Sequence, residues 1–544
     1  MTRRWSALVA LCFAELMVMI DNTIVNVALP TISRDLDAGI SGLQWVVDAY
    51  TLVFAGLLLA GGHLGDRYGR KGMLLIGIVG FGGVSAVAAS STTVGALIAS
   101  RGALGVFAAL VFPGTLALVI SIFNEPRTRA AAVGIWAATS GVAVAIGPVL
   151  GGWLLEHYSW ASVFWVNVPM AVAAVIAVAL VVPADRHRHA GPFDPIGLLT
   201  SIAGVGLLTY SVIEGPHHGW TNWRTLGGLV LAVLILAAFA IYESRSRSPI
   251  FDVRLFGNRR FAMAAALISL AFFSLMGFIF LITQYFQAVK GYGTLEAGLR
   301  TLPFAVVMAV LSPVAMVGSR RLGAGRVAAV GSALMAAGFL LVEVADRDTA
   351  YWGIIVLAMS LMAAGLAFIS GPCADLVMAS LRPEQTGAGS AVNDTTRELG
   401  GTLGVAVLGS VLTSAYTASV THGLTDIPLP AAAREATTES VMAGVEVAKA
   451  APTPWRQQIL DVVQTSFVDG LHNASWVAAG VMAVATPLAW VLLAHNRTRD
   501  IAIAGNDDQD SLPASSSPAT ERSSAAQATS GTAISPSSSS RARR

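Results

Sequence analysis

GALIASRGALGVFAALVFPGTLALVIS, residues 95–121, carries a single charge, Arg101. About 20 mostly apolar residues cross a bilayer as a helix, so this stretch reads as a span. Working outward with the same window gives fourteen such stretches, near 7–29, 45–64, 73–91, 95–121, 131–155, 161–182, 195–213, 225–243, 261–284, 297–318, 326–344, 351–376, 395–415 and 474–495. The chain of 544 residues is 55% hydrophobic and 12% charged, half the charged share of roughly 25% usual in soluble proteins. These features predict an all-α integral membrane protein and exclude a string of water-soluble domains.

A net charge of +2 gives no reason to expect nucleic acid. Placement of the basic residues is more informative. One set of alternate connections holds Arg3, Arg4, Arg67, Arg70, Lys71, Arg127, Arg129, Arg186, Arg188, Arg245, Arg247, Arg254, Arg259, Arg260, Arg320, Arg321, Arg326, Arg382, Arg497 and Arg499, while the short loops of the other set hold only Arg34, Arg224, Lys290 and Arg347. By the positive-inside rule both termini are cytoplasmic, as an even number of spans also requires. Arg3 and Arg4 before an apolar run imitate a signal peptide. Glu15 and Asp21 inside that run, and the lack of a clean cleavage site, favour a retained first helix. Cys12 and Cys373 both fall in spans and read as packing residues, with no disulfide or metal site implied.

A weak repeat links GHLGDRYGRK (62–71) after the second span to VGSRRLGAGR (317–326) after the tenth, through Arg-x-Gly at 67–69 and 321–323. Setting the seventh and eighth spans aside leaves six on each side, as in transporters built from two parallel halves. The expected organisation is therefore a six-helix bundle over 1–182, two extra central helices over 183–260, a second bundle over 261–500, and a disordered cytoplasmic tail over 501–544, rich in Ser, Ala and Pro. The long connection 416–473 carries Trp455, Ile459, Val462, Val463 and Phe467 at helical spacing, after a segment with Val441, Met442 and Val445, and reads either as an external helical hairpin over the pore mouth or as a loose connector.

Ionisable groups inside spans are functional candidates, since a charge in hydrocarbon costs at least about 2.5 kcal/mol. They include Glu15, Asp21, Asp48, Arg101, Asp375, Asp394, Arg397 and Glu398. Glu15 admits a bland reading as a snorkelling side chain, and Glu296 with Arg300 as a surface ion pair. Asp394 and Glu398, four apart, share a helix face that suits a cation, or else merely favour the positive end of a helix that starts beside them. Desolvation disfavours a charged carboxylate, so a buried acid can be offered in turn to a proton and to a cation. Competition between the two gives exchange. In the fifth span, GVAVAIGPVLGG (141–152) sets Ala143, Gly147 and Gly151 four apart beside Pro148, a stripe for close helix approach that is also ordinary membrane packing.

These residues resemble the fourteen-helix drug:proton antiporters of the major facilitator superfamily, over nearly the whole chain to about residue 500. IDNTIVNVALP (20–30) resembles that family's helix 1 signature. GHLGDRYGRK matches the superfamily loop through Gly62, Asp66, Arg67, Gly69, Arg70 and Lys71. The fifth span matches the antiporter motif through Gly141, Gly147, Pro148, Gly151 and Gly152, and AGSAVNDTTRELGGTLGVAVLGS (388–410) the entry to the thirteenth helix. WVVDAYTLV (45–53), DVRLF (252–256) and ESVMAGVEVAKA (439–450) are most similar to the quaternary-ammonium and dye efflux pumps. The resemblance implies the major facilitator fold and roles in cation recognition and proton coupling for Asp21, Asp48, Asp394 and Glu398. It implies proton transfer at Arg101 and a conformational latch at Asp66.

Departures are Leu104 and Phe107 where the helix 4 motif often has Gln and Gly, Trp160-Ala161-Ser162 at the sixth span, and an uncharged Phe304–Leu311 where those pumps carry a further acid. The expected activity is proton-driven export of small lipophilic or cationic drugs across the cytoplasmic membrane, by a monomer that needs no cofactor. A dedicated exporter of one endogenous antibiotic is the alternative. A membrane-embedded enzyme is disfavoured, because no G-x-S-x-G, H-E-x-x-H or G-x-x-x-x-G-K-[ST] occurs.

Overall fold

The computed structural model describes residues 2–123, 125–183, 194–246, 249, 253–380 and 386–494. Among them every regular element is helical. The principal helices are α1 (Thr2–Leu36), α2 (Ile40–Tyr68), α3 (Arg70–Ala89), α4 (Val94–Ile122), α5 (Pro126–His157), α6 (Asn167–Val181), α7 (Pro195–Ile213) and α8 (Trp223–Arg245). They continue with α9 (Arg259–Gln284), α10 (Leu302–Leu322), α11 (Ala324–Val342), α12 (Val356–Ala379), α13 (Thr386–Gly423), α14 (Ala431–Glu439), α15 (Val441–Ala450) and α16 (Thr453–Ala494). Each of the fourteen expected spans falls on one of these. Twelve stretches are long and apolar enough to cross a membrane among the described residues. The other two expected spans lie on α5 and α16, so a count of fourteen is compatible with the structure. Lipid-facing residues such as Leu180, Leu199, Trp223, Leu231 and Val310 are exposed, as suits a protein whose outer solvent is hydrocarbon.

Two expectations need correction. The connection after the thirteenth span is shorter than 416–473, because α13 runs on to Gly423 and α16 already begins at Thr453. The apolar stripe with Ile459, Val463 and Phe467, all fully buried, is the first part of the last long helix. A helical hairpin does exist, but it is α14 and α15. Its seat is polar as well as apolar: the Ser33 and Ser440 hydroxyls lie 2.8 Å apart, and the Tyr416 hydroxyl donates to the Thr437 carbonyl at 2.7 Å. Glu15 does not snorkel either, since its side chain is fully buried. Asp375 is exposed near the end of α12.

The Arg-x-Gly repeat marks the same backbone event twice. Gly69 closes α2 at φ 106° with its N–H on the Gly65 carbonyl, and Gly323 closes α10 at φ 91° with its N–H on the Ser319 carbonyl. A side chain strains that left-handed region, so glycine recurs there. Arg70 and Lys71 then tie the helix ends together, Arg70 to the Ala117 carbonyl at 3.5 Å and Lys71 to those of Ala179 and Val182 at 2.9 and 2.6 Å. Arg67 lies over the Tyr68 ring. The side chain of Asp66, the proposed latch, lies outside the described residues.

At the opposite face the connections are knitted by charge. Lys290 donates to the Arg347 and Thr349 carbonyls at 2.6 Å each, and Arg347 pairs with Asp461. Asp346 accepts from the Thr349 hydroxyl and from the Asp348 and Thr349 amides, and the Thr349 hydroxyl above all holds its carboxyl below the usual carboxylate range. A carboxylate with a lowered pKa lends stability above its unfolded value, which is lost as pH falls through the lowered one. Asp346→Asn is therefore expected to melt at a lower temperature than the parent at neutral pH, with the difference closing on acidification, as read by thermal melts across a pH series.

Candidate functional site

The centre of the molecule is built on α1, α2, α4 and α13. Asp21 sits midway along α1, fully buried, with its Oδ2 at 2.5 Å from the Arg101 guanidinium of α4. Its other oxygen accepts from the Asn167 amide at 2.7 Å, and that amide reaches the Ser85 hydroxyl at 3.3 Å. Arg101 is held in turn by the Val46 carbonyl at 2.9 Å and lies 4.3 Å from the centre of the Tyr50 ring. One buried acid and one buried guanidinium thus form a neutral, directed pair drawn from two helices, with partners from three more. Asn167, Ser85 and Tyr50 escaped the reading of the sequence, which weighed only ionisable groups.

The fifth-span stripe serves this pair. A Cβ at Gly147 would run into Thr23, two residues beyond Asp21, and one at Gly151 would meet Ile24 at 2.7 Å. The Thr23 hydroxyl donates to the Ala143 carbonyl at 3.4 Å. Ordinary packing therefore accounts for half the motif: the small residues bring α1 and α5 together where α1 carries its acid. The other half faces away. A Cβ at Gly152 would lie 2.6 Å from both Leu295 Cα and the Thr294 carbonyl, and the Thr294 hydroxyl donates to the Gly152 carbonyl at 3.1 Å. Gly298 likewise approaches the Pro148 carbonyl too closely for a side chain. Here the first six spans touch the short turn Thr294–Leu299 ahead of α10, at the face opposite Arg67 and Arg70. Gly141 lies within α5, but its surroundings fall outside the described residues.

Gln44, Asp48 and Thr51 occupy one face of α2, four and three residues apart. Gln44 donates to the Val405 and Ala406 carbonyls at 3.2 and 3.0 Å, and the Thr402 hydroxyl donates to Thr51 at 2.9 Å. This is the seam between α2 and α13. Ser410 binds the Val212 carbonyl at 2.8 Å and Ile202 meets Gly56, which seats α7 along the same seam. Asp48 is fully buried between these contacts, and neither of its carboxylate oxygens has a hydrogen-bond partner among the described residues.

Further along α13, Arg397 takes both acids that the sequence had grouped. It lies 2.9 Å from Glu398 and 4.0 Å from Asp394, with its guanidinium carbon 5.1 Å from the Phe272 ring centre. All three keep partial exposure, 22% for Arg397, 20% for Asp394 and 10% for Glu398. Buried Glu15 of α1 lies near enough to act on Arg397 by its charge. The helix starts at Thr386, so these acids stand two and three turns inside it. A dipole effect confined to the first turn does not explain them. Among the described residues Asp21 thus pairs with Arg101, Asp394 and Glu398 share Arg397, and Asp48 has no hydrogen-bond partner. Among the described residues no cluster of His, Cys, Asp and Glu fits a metal ion.

The model of the Major Facilitator Superfamily matches residues 11–405. The chain is 34% identical over 492 residues to the multidrug efflux pump LfrA of Mycolicibacterium smegmatis, covering 90% of this chain and 96% of that one. It is 34% identical over 493 residues to the tetracenomycin C resistance and export protein of Streptomyces glaucescens, covering 90% and 91%. Among solved structures, a bacterial homolog of the human lysosomal transporter Spinster superposes with a TM-score of 0.58 at 16% identity, over 92% of this chain and 98% of that one, and supports the fold alone. With its apolar helices, its buried acid–guanidinium centre and these matches, the chain belongs to the major facilitator superfamily and is a multi-pass membrane protein of that transporter family.

Proposed function

We propose that the chain exports lipophilic, mainly cationic drugs across the cytoplasmic membrane in exchange for protons, by alternating access, with both termini cytoplasmic. The fully buried Asp48 carboxylate, with no hydrogen-bond partner among the described residues, carries this reading. Each uncompensated carboxylate costs several kcal/mol in a low-dielectric interior, and the cost is relieved by a proton or by a cationic passenger. Asp48 takes a proton, Asp21 responds through Arg101, and the partly exposed Asp394–Arg397–Glu398 group meets the passenger first. Contacts through Thr294, Gly298 and Ser440 hold the outer side closed in the described state. The Asp66 loop acts as a latch that favours the opposite state, the two extra helices brace the α2–α13 seam, and the monomer needs no cofactor.

The driving force is sufficient. A tenfold proton gradient supplies about 1.4 kcal/mol, and each net charge moved through 100 mV about 2.3 kcal/mol. A growth-inhibition panel in a pump-deleted host tests the reading: quaternary ammoniums and dyes should be tolerated at several-fold higher doses with the chain than without it. Protection against a single neutral antibiotic alone would favour a dedicated exporter, the reading that the tetracenomycin relative supports. Glu398→Gln keeps the shape of the side chain and leaves Arg397 with Asp394, so the protein should fold with a lowered melting temperature. The substitution should cut ethidium efflux several-fold while sparing uncharged substrates, as read by dye fluorescence in energised cells.

A further inference from the structure

Arg300, which the sequence presents as half of a surface ion pair, has a more particular setting. It does pair with Glu296 at 2.5 Å. Its guanidinium carbon also lies 3.6 Å from the centre of the Tyr292 ring and 4.6 Å from that of Tyr351. Phe286, fully buried, backs both tyrosines at 5.8 and 6.0 Å between ring centres. The Tyr351 hydroxyl donates to the Arg300 carbonyl at 2.6 Å, which fixes the ring against the backbone of the residue it covers. Two aromatic faces, a third ring behind them and a carboxylate at the rim form the arrangement that recognises quaternary ammonium ions. The occupant here is the protein's own guanidinium.

The place matters as much as the shape. The cage closes the turn Thr294–Leu299, whose other side is packed on Gly152 and Pro148, so it stands at the outer mouth of the path between the halves. We propose that Tyr292, Tyr351, Phe286 and Glu296 form an outer seat for a monovalent organic cation, with Arg300 as a tethered competitor. The inference rests on the export of cations proposed above. A tethered occupant holds the seat at high effective concentration, so a passenger binds there weakly and leaves quickly.

The test uses the full-length chain in right-side-out proteoliposomes, without a gradient, and tetraphenylphosphonium added outside. Arg300→Ala should bind the probe roughly tenfold more tightly than the parent, and adding Tyr292→Ala should remove the gain. Arg300→Lys, which refills the cage, should behave like the parent. A thermal melt accompanies each variant. Should Arg300→Ala be too unstable to purify, Arg300→Gln, which removes the tethered cation while keeping the rings and Glu296, should give a gain of the same sign. No gain in any of these variants, or a gain that survives loss of Tyr292, overturns the seat. Because binding is read without transport, a chain that binds the probe but exports no cation would contradict the proposed function and leave the seat standing.

Discussion

Asp21→Asn is expected to reduce drug-dependent proton movement to the background of vesicles lacking the protein. The substitution keeps shape and most hydrogen-bonding capacity, so Asn167 and Arg101 retain a neighbour. It removes the one charge that balances Arg101 inside the bundle. Breaking a buried pair from one side costs about 3–5 kcal/mol, because the remaining ion stays desolvated. The single variant should therefore be both inactive and less stable. Asp21→Asn with Arg101→Gln separates the two effects: removing both charges should restore much of the melting temperature and none of the transport. If the double variant regained exchange, the pair would be structural only. Undiminished export in Asp21→Asn would remove Asp21 from the mechanism.

Gly152→Val should trap the transporter with its outer side open. In the described state the new Cβ would stand 2.6 Å from backbone atoms of Leu295 and Thr294, and backbone cannot swing aside as a side chain can. Overpacking costs about 1–3 kcal/mol, which displaces a two-state equilibrium about 5- to 150-fold. Export should fall by that order. A cysteine introduced at Ser33, buried beneath Ser440 when the outer side is closed, should gain reactivity toward an impermeant maleimide by a similar factor. Gly147→Val provides the contrast. Its collision with Thr23 lies inside one half, so it should damage folding rather than change which side is open.

Much of the architecture was legible because hydrocarbon imposes a long, uniform signal: stretches such as 95–121 and 261–284 announce themselves without any knowledge of their neighbours. Positions of individual acids were legible for the same reason, since Asp21 and Asp48 stand out against apolar surroundings. Their partners were not. Arg101 lies 80 residues from Asp21 and Asn167 lies 146 residues away, and only packing brings them together. Glu15 stayed open between two readings because a charge within about four turns of an apolar helix's start has two outcomes, interface or interior, that composition does not separate. The outer loop was misplaced because the stripe of Ile459, Val463 and Phe467 fits a helix equally well whether it belongs to a hairpin or to the next span. Gly69 and Gly323 went the other way: a three-residue repeat, thin as sequence evidence, proved to be a shared left-handed helix ending.

Embedded acids that trade protons for passengers couple the two fluxes. That coupling is tested most directly by purified protein in liposomes with ethidium on one side, a pH dye within and an imposed proton gradient. Ethidium should move only with the gradient, matched by proton flux in the opposite direction, and should not move in Asp21→Asn. Ethidium moved at full rate with no gradient and no proton counterflow would contradict the coupling.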